Sequence, residues 1–314
     1  MNVKLVKPAA LTELSAVPGT SESIQFEVDA EHFDEIEVEY DPRHRAYWFF
    51  MRPREAPSYT LSLLRDVKQM QHSVKRLYAR HLREGEQPIR YLVGASRLTG
   101  IFNLGGDLRY FAERIRAEDR ASLQNYAYAC IDVLYNSATS LDLPIVTVAL
   151  VQGEAFGGGF ESALSCDLIV AEKSVKFGLP EILINLLPGM GAFSFLSRRL
   201  DMVRAEKMIM SGRIYSAGEL HEMGLVDVLA DDGHGEDAVR DMLARHGRRY
   251  NAHRTLYQMR RRVRPIPYEE LKNITDLWVD AALGVTEPDL RRMERLAMAQ
   301  NRRRTNDELA LAAK

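Results

Sequence analysis

Two glutamates, Glu161 and Glu181, lie twenty positions apart in the sequence. Each is expected near the start of a helix. Glu161 follows the run Gly157-Gly158-Gly159-Phe160, where a strand is expected to lead into a helix. Glu181 follows Pro180, which is expected to open another helix. Two carboxyl groups in one pocket can act as general acid and general base in a reaction that adds or removes water.

Each glutamate also has a simpler explanation when it is taken alone. Glu161 is equally explained as a solvated residue on a helix surface. Glu181 is equally explained as a first-turn charge that the helix dipole favours. The chemical interpretation therefore needs further groups nearby that could take part in the same reaction.

Glycine-rich loops can provide such groups, because their backbone N–H groups can face a developing negative charge. One loop contains Gly105-Gly106-Asp107, and the other is the glycine run before Glu161. Neither a Walker loop nor a dinucleotide-binding glycine pattern is present in the second. Taken singly, both are also explained as strand-to-helix turns, with Asp107 as a helix cap. Together, one N–H from each loop can hold a thioester oxygen as it becomes an enolate.

The elements that must position these loops follow from the apolar pattern. Strands are predicted at residues 35–40, 47–51, 89–93, 145–151, 168–171 and 225–229, and long helices at 61–82 and 119–141. This order predicts an α/β fold whose mostly parallel sheet is covered on both faces. After about residue 235 only helical patterns remain. We predict a poorly ordered arm at 1–23, a catalytic core at 24–235 and a C-terminal helical region at 236–314.

Composition excludes several functional classes. Hydrophobic residues make up 46% and charged residues 27% of the 314, so the chain can bury a sizeable core. The net charge of −2 gives no reason to expect nucleic acid as a partner. We find neither a membrane span nor a signal peptide, and we expect a cytoplasmic protein whose Cys130 and Cys166 are free thiols. The histidines show no metal-binding spacing, so neither a metal nor another cofactor is expected.

At this point the chain resembles the crotonase, or enoyl-CoA hydratase/isomerase, superfamily over roughly residues 35–230. The resemblance implies a crotonase-like ββα spiral core and a lyase. It also implies that Gly106 and Gly158 form the oxyanion hole and that Glu161 and Glu181 are the catalytic pair. Many relatives replace one or both glutamates, so keeping both favours addition or removal of water. Which glutamate acts as base and which as acid stays open.

A closer resemblance is to the branch of this family that makes diffusible signal factors, which are cis-2-unsaturated fatty acids used in bacterial quorum sensing. Three stretches carry it, residues 102–108, 187–195 and 274–283. Leu104 in the first stands where most relatives have a small residue. That branch dehydrates a 3-hydroxyacyl chain on acyl carrier protein and then hydrolyses the thioester, which is a thioesterase activity. The alternatives are an enoyl-CoA hydratase of fatty-acid degradation and a non-catalytic interaction protein.

The resemblance also implies an acyl pocket and partners. We predict that the substrate contacts Leu104, Gly105, Leu183, Leu187, Met190 and Phe193. Trp278 is interpreted as a packing residue of the helical tail. Late arginines at 260–264, 291–295 and 302–304 could steer an acidic carrier protein, although a solvated helix face explains them too. The family implies a homotrimer or hexamer with C-terminal helices over the pocket, an acyl carrier protein or CoA thioester as substrate, and for this branch a sensor receiver domain.

Overall fold

The computed structural model describes residues 21–83 and 87–312, with side chains up to Arg302. Ten strands form two sheets within these residues. In chain order the strands are β1 (Ile36–Asp41), β2 (Ala46–Met51), β3 (Tyr91–Ser96), β4 (Ile101–Asn103), β5 (Val146–Val151), β6 (Glu154–Phe156), β7 (Leu168–Glu172), β8 (Lys176–Gly178), β9 (Ile214–Ser216) and β10 (Val228–Ala230).

Twelve α-helices accompany the strands in the same described residues. They are α1 (Ser21–Asp29), α2 (Leu61–His81), α3 (Leu108–Arg116), α4 (Arg120–Ala138), α5 (Gly158–Ser165), α6 (Ala192–Arg199), α7 (Met202–Ser211), α8 (Ala217–Glu222), α9 (Gly235–Gly247), α10 (Tyr250–Val263), α11 (Tyr268–Leu283) and α12 (Glu287–Ala312). Short 3₁₀ helices lie at Ser140–Asp142 and Pro180–Ile184.

The main sheet has the strand order β1-β2-β3-β5-β7-β10. Only the β1–β2 hairpin is antiparallel, and every other neighbouring pair in this sheet is parallel. The continuously apolar β5 lies at its centre and is buried along its whole length. This is the pattern expected of a parallel strand that is covered on both faces.

Two hydrophobic cores cover the two faces of the main sheet. Alternate side chains of β2 point to opposite sides, as strand geometry requires. Trp48 and Phe50 pack with α9 and α10 residues such as Val239 and Tyr257. Tyr47 and Met51 belong to the larger core that contains α2 and α4. The predicted α/β fold with a helical C-terminal region is therefore confirmed.

Several boundaries differ from the sequence prediction, among them the strand predicted at 89–93, which forms at Tyr91–Ser96. Residues 1–20 of the predicted arm lie outside the described residues, but residues 21–23 begin helix α1. The strand predicted at 225–229 forms only at Val228–Ala230, since Gly224 takes a positive φ of +75° and the chain turns there. Within the described residues, no helix has the length and apolar character needed to cross a bilayer.

The second sheet, β4-β6-β8-β9, was not predicted from the sequence. Its strands have three residues each, which is too short for an alternating pattern to be recognised. Strands β4, β6 and β8 are parallel neighbours, so their carboxyl ends meet at one edge. This edge carries the candidate active site.

Candidate active site

Three segments of the site leave adjacent strands of the small sheet. The loop with Gly105 and Gly106 follows β4, and the turn at Gly157 and Gly158 follows β6. Strand β8 leads into the 3₁₀ helix Pro180–Ile184, which contains Glu181. Parallel pairing of β4 with β6 and of β6 with β8 therefore brings together groups that lie up to 76 residues apart in the chain.

Hydrogen bonds fix the first loop from both sides. The N–H of Tyr59 donates to the Gly105 carbonyl at 2.7 Å, and the Gly105 N–H donates to Asn103 Oδ1 at 2.9 Å. Asp107 caps α3 as predicted, because its Oδ1 accepts from the Tyr110 N–H at 3.0 Å. Gly105 has a φ of +101°, which few side chains tolerate. The peptide that carries the Gly106 N–H is therefore held in one orientation.

The second loop lies directly against the first. A Cβ atom placed on Gly105 would be only 3.2 Å from the Gly158 nitrogen. Gly157 has φ +52° and ψ −126°, and its N–H donates to the Gly178 carbonyl at 2.9 Å. Gly158 is the first residue of α5, where backbone N–H groups have no partner within the helix.

The N–H groups of Gly106 and Gly158 donate to no protein group in the described part of the chain. Both glycines line the same cavity. Two unpartnered N–H groups where the two fixed loops meet can both donate hydrogen bonds to an oxygen that gains negative charge. The positive end of α5 adds to this preference for an anion.

Glu161 lies in the first turn of α5 and is only 1% exposed. Its Oε1 accepts the backbone N–H of Met190 at 2.8 Å and that of Ala192 at 2.9 Å. Burial raises the pKa of the Glu161 carboxyl, and these two donors act against that rise. The donors also fix the direction of the carboxyl group, which is needed for proton transfer at a defined atom.

Glu181 approaches the same point from the 3₁₀ helix. A Cβ atom placed on Gly157 would lie 2.5 Å from Glu181 Oε1, so the carboxyl sits directly over the second loop. The residue as a whole is half-buried, but its Oε2 is shielded from solvent and has no hydrogen-bond partner among the described residues. Burial, and next the negative charge of Glu161, raise the pKa of Glu181.

Both carboxyl groups therefore keep their protons to a higher pH than isolated glutamates do. Backbone donors stabilise the ionised form of Glu161, whereas Glu181 Oε2 has no such donor. Burial thus favours the protonated form of both carboxyls, and the negative charge of Glu161 adds to this at Glu181. Two carboxyls with raised pKa values that line one cavity can supply the proton acceptor and the proton donor of a reaction with simultaneous proton removal and proton donation.

A cavity of about 280 Å³ adjoins the loops and the carboxyl pair. Its lining is mostly apolar, as expected of a site for a hydrocarbon chain. The wall includes Phe111, Tyr126, Ala127 and Cys130 from α3 and α4, all of them buried. Five of the six residues predicted as substrate contacts line this cavity: Leu104, Gly105, Leu183, Leu187 and Met190.

Phe193 was also predicted as a substrate contact, but it does not line this cavity. It packs partly buried against the main core. The helix α6 begins at Ala192, whose N–H is bonded to Glu161, and the face with Ala192, Phe195 and Leu196 is buried. One residue along a helix turns the side chain by about 100°, which directs Phe193 away from that face.

Trp278 was interpreted as a packing residue alone, and the structure adds a second role. Its ring packs edge-on against Phe111, with centroids 5.1 Å apart, and lies against Gly189. It also lines the cavity. The sequence favoured packing for Trp278 but gave no sign that the cavity lies beside it.

No group of three or more His, Cys, Asp or Glu side chains suited to a metal ion occurs among residues 21–83 and 87–302. Cys130 and Cys166 are free thiols, and burial raises the pKa of both.

The sequence profile of the enoyl-CoA hydratase/isomerase family matches residues 79–260, which is more than half of the chain. The matched segment contains both glycine loops and both glutamates. The chain belongs to the enoyl-CoA hydratase/isomerase family.

Several curated family members share this segment. Methylglutaconyl-CoA hydratase of rat mitochondria is 32% identical over 161 residues, which are 51% of this chain and 49% of that protein. The human mitochondrial enoyl-CoA hydratase domain-containing protein 2 is 37% identical over 160 residues, 51% of this chain and 52% of that protein. The chain thus spans about half the length of these curated relatives.

Solved structures of the family extend the likeness over most of the chain. An enoyl-CoA hydratase from Bacillus anthracis superposes with a TM-score of 0.63 at 21% identity, covering 85% of this chain and 98% of that one. DspI from Pseudomonas aeruginosa superposes with a TM-score of 0.61 at 25% identity, covering 79% and 98%. The crotonase-like fold that the family resemblance implied is therefore confirmed.

The buried pair of this family member has a consequence for stability. Folding raises the pKa of Glu181, so the folded state binds that proton more tightly than the unfolded state. The contribution to stability is largest below the ordinary pKa of 4.5 and is lost as the pH rises from there toward the raised value. Glutamine does not titrate, so the variant does not lose stability in this way. Between pH 4 and pH 8 we expect the unfolding free energy of Glu181→Gln, measured against that of wild type, to rise by about 1–3 kcal/mol.

Urea unfolding at a series of pH values measures this difference. The matched control is Glu206→Gln, because Glu206 is exposed on α7. The control should show no comparable change between pH 4 and pH 8. A stability difference for Glu181→Gln that stays constant with pH would show that folding does not raise the pKa of this carboxyl.

Proposed function

We propose that the protein dehydrates a 3-hydroxyacyl thioester on an acyl carrier protein to the cis-2-enoyl thioester and then hydrolyses it. The product is a free cis-2-enoic fatty acid of the diffusible signal factor type. The observation that carries this proposal is that Glu161 and Glu181 line the same cavity as Gly106 and Gly158, whose N–H groups have no partner among the described residues. Family membership makes a thioester the expected substrate.

In the dehydration, the two N–H groups donate to the thioester carbonyl oxygen and lower the pKa of the α-carbon. The α-C–H bond breaks, and one carboxylate receives the proton. The electron pair forms the C2=C3 bond while the C3–O bond breaks. The other carboxyl group gives its proton to the departing hydroxyl, which leaves as water. The pair holds one proton before the step and one proton after it.

In the hydrolysis, the same N–H groups hold the same carbonyl oxygen. The carboxylate takes a proton from a water molecule as its oxygen bonds to the carbonyl carbon. The C–S bond then breaks, and the carrier thiol leaves with a proton from the carboxyl group. Both steps use one oxyanion site, so no Ser-His-Asp arrangement is required.

The three stretches that carry the closer resemblance support the finer assignment, because each contributes a residue to the cavity. Leu104, Met190 and Trp278 come from positions far apart in the chain and line the same space. Met190 also anchors Glu161 through its N–H. The features that distinguish this branch from other family members therefore lie where an acyl chain would bind.

The second candidate is hydration of a trans-2-enoyl-CoA in fatty-acid degradation. The curated relatives named above favour it, since they are a hydratase and a hydratase-domain protein. Both candidates use the same carboxyl pair and the same donors. They differ in the carrier and in whether a free acid is released.

Product analysis separates the two. We expect that incubation with 3-hydroxydodecanoyl-carrier protein yields free cis-2-dodecenoic acid, detected by mass spectrometry. Glu161→Gln serves as the inactive control for background hydrolysis. Hydration of dodecenoyl-CoA without any free acid would support the hydratase and overturn the proposal. No turnover of either substrate would favour a non-catalytic interaction protein.

A further inference from the structure

The mouth of the cavity is unusually apolar for a protein surface. Four large side chains that line it are well exposed: Leu183 at 54%, Ile214 at 50%, Leu187 at 47% and Leu296 at 37%. Clustered exposed apolar side chains mark surfaces that another molecule covers. An acyl chain inside the cavity would leave these outer residues uncovered.

Helix α12 places cations beside this mouth. Arg292, Arg295 and Arg302, which we call the arginine rim, are exposed and follow one another at intervals of three and seven residues. Positions with these intervals share one face of a helix, and Ala299 of that face lines the cavity. Arg292 Nη1 donates to the Leu183 carbonyl at 2.9 Å, so the arginine rim adjoins the apolar mouth directly.

The acidic residues of α12 leave the arginine rim largely uncompensated. Glu287 and Glu294 are both paired with Arg116 of α3. Asp289 lies 3.6 Å from Arg292. The other two arginines of the rim have no carboxylate within 4.0 Å in the described part of the chain. The rim therefore presents positive charge toward solvent.

Three late arginines of α10 and its C-cap bind other parts of the protein. Arg261 forms an ion pair with Asp167 at 2.7 Å, and Arg260 donates to the Asp167 carbonyl at 3.1 Å. Arg264 donates to the Arg198 carbonyl at 2.6 Å. Of the basic clusters noted in the sequence, the one on α12 is thus the cluster that borders the cavity mouth.

We propose that the arginine rim and the apolar mouth together form the docking surface for the acidic carrier protein that delivers the acyl thioester. This inference rests on the proposed function. An acidic protein surface is attracted to several cations at once, and its approach brings the thioester arm to the mouth. The exposed leucines and isoleucine are then covered by the carrier, which explains why the surface is apolar next to its charges.

The test compares one chemistry on three carriers. We expect the double substitution Arg295→Glu and Arg302→Glu to lower kcat/KM for 3-hydroxyacyl-carrier protein at least tenfold at low ionic strength. The same acyl group on pantetheine, which lacks an acidic protein, should keep its kcat/KM within about twofold. The matched control is Arg248→Glu with Arg249→Glu, because these exposed arginines line a different cleft and the net charge changes equally.

Each outcome decides the proposal. An equal loss with carrier protein and with pantetheine, or no loss with carrier protein, overturns the docking surface. A loss with acyl-CoA as large as that with carrier protein means that the rim binds CoA phosphates, and also overturns it. If no thioester is turned over, calorimetric titration with holo carrier protein still tests docking, since wild type should bind at least tenfold more tightly than the double variant. That result separates failure of docking from failure of the proposed function.

Discussion

Glu161→Gln and Glu181→Gln are each expected to reduce dehydration of the 3-hydroxyacyl thioester by about 1,000-fold or more. General acid–base catalysis contributes roughly 10²–10⁴-fold for one group, and the proposed reaction needs both a proton acceptor and a proton donor. Glutamine retains the size and a hydrogen-bonding oxygen but neither takes up nor releases the proton. The measurement is the initial rate of enoyl product formation with each variant at saturating substrate.

The two variants should also fold normally. Glutamine at position 161 can still accept the N–H groups of Met190 and Ala192 through its amide oxygen. The exposed Glu206 on α7 again gives the matched control, and Glu206→Gln should keep full activity. If both site variants are folded by circular dichroism and still form product at near-wild-type rates, the proposed mechanism is wrong.

Gly157→Ala is expected to lower kcat/KM by about 100-fold and stability by about 1–3 kcal/mol. The φ of +52° at Gly157 is strained for alanine, which accounts for the loss of stability. The added Cβ would lie 2.5 Å from Glu181 Oε1, so the carboxyl must move. A displacement of this size at a proton-transferring group costs about 10²-fold in rate.

Gly100→Ala separates the two effects. Gly100 also has a positive φ, of +68°, but no heavy atom lies within 4 Å of its added Cβ. This variant should lose stability and keep its activity. Steady-state kinetics and thermal unfolding of both variants provide the comparison. Equal activity of Gly157→Ala and Gly100→Ala would show that the carboxyl of Glu181 does not depend on the space over Gly157.

The glycines and carboxyls of the site were predictable because their reasons are local. Gly105 and Gly157 adopt positive φ, and glycine before a helix is a common signal for such a turn. Asp107 at an N-cap follows from the same local rules. The family motif then linked these positions to the two glutamates. What remained unpredicted was how the segments reach one another.

The small sheet is the main feature that the sequence did not reveal. Strands of three residues carry too few positions for a period-2 pattern, yet the pairing of β4, β6 and β8 aligns all three parts of the site. The positions of Phe193 and Trp278 relative to the cavity were not predicted for a similar reason. Their apolar character predicted burial, but the tertiary packing determined which of the two borders the cavity.

The sequence by itself determined the α/β layering, the helical tail and the chemical groups available, because periodicity and glycine positions act over a few residues. Only the tertiary structure decided the pKa values of Glu161 and Glu181 and the charged groups around the mouth of the cavity. The pKa of Glu161 depends on N–H groups of Met190 and Ala192 about thirty residues away and on burial by the whole core. Such energies are set by distances in space, and distances between remote residues exist only once the chain has folded.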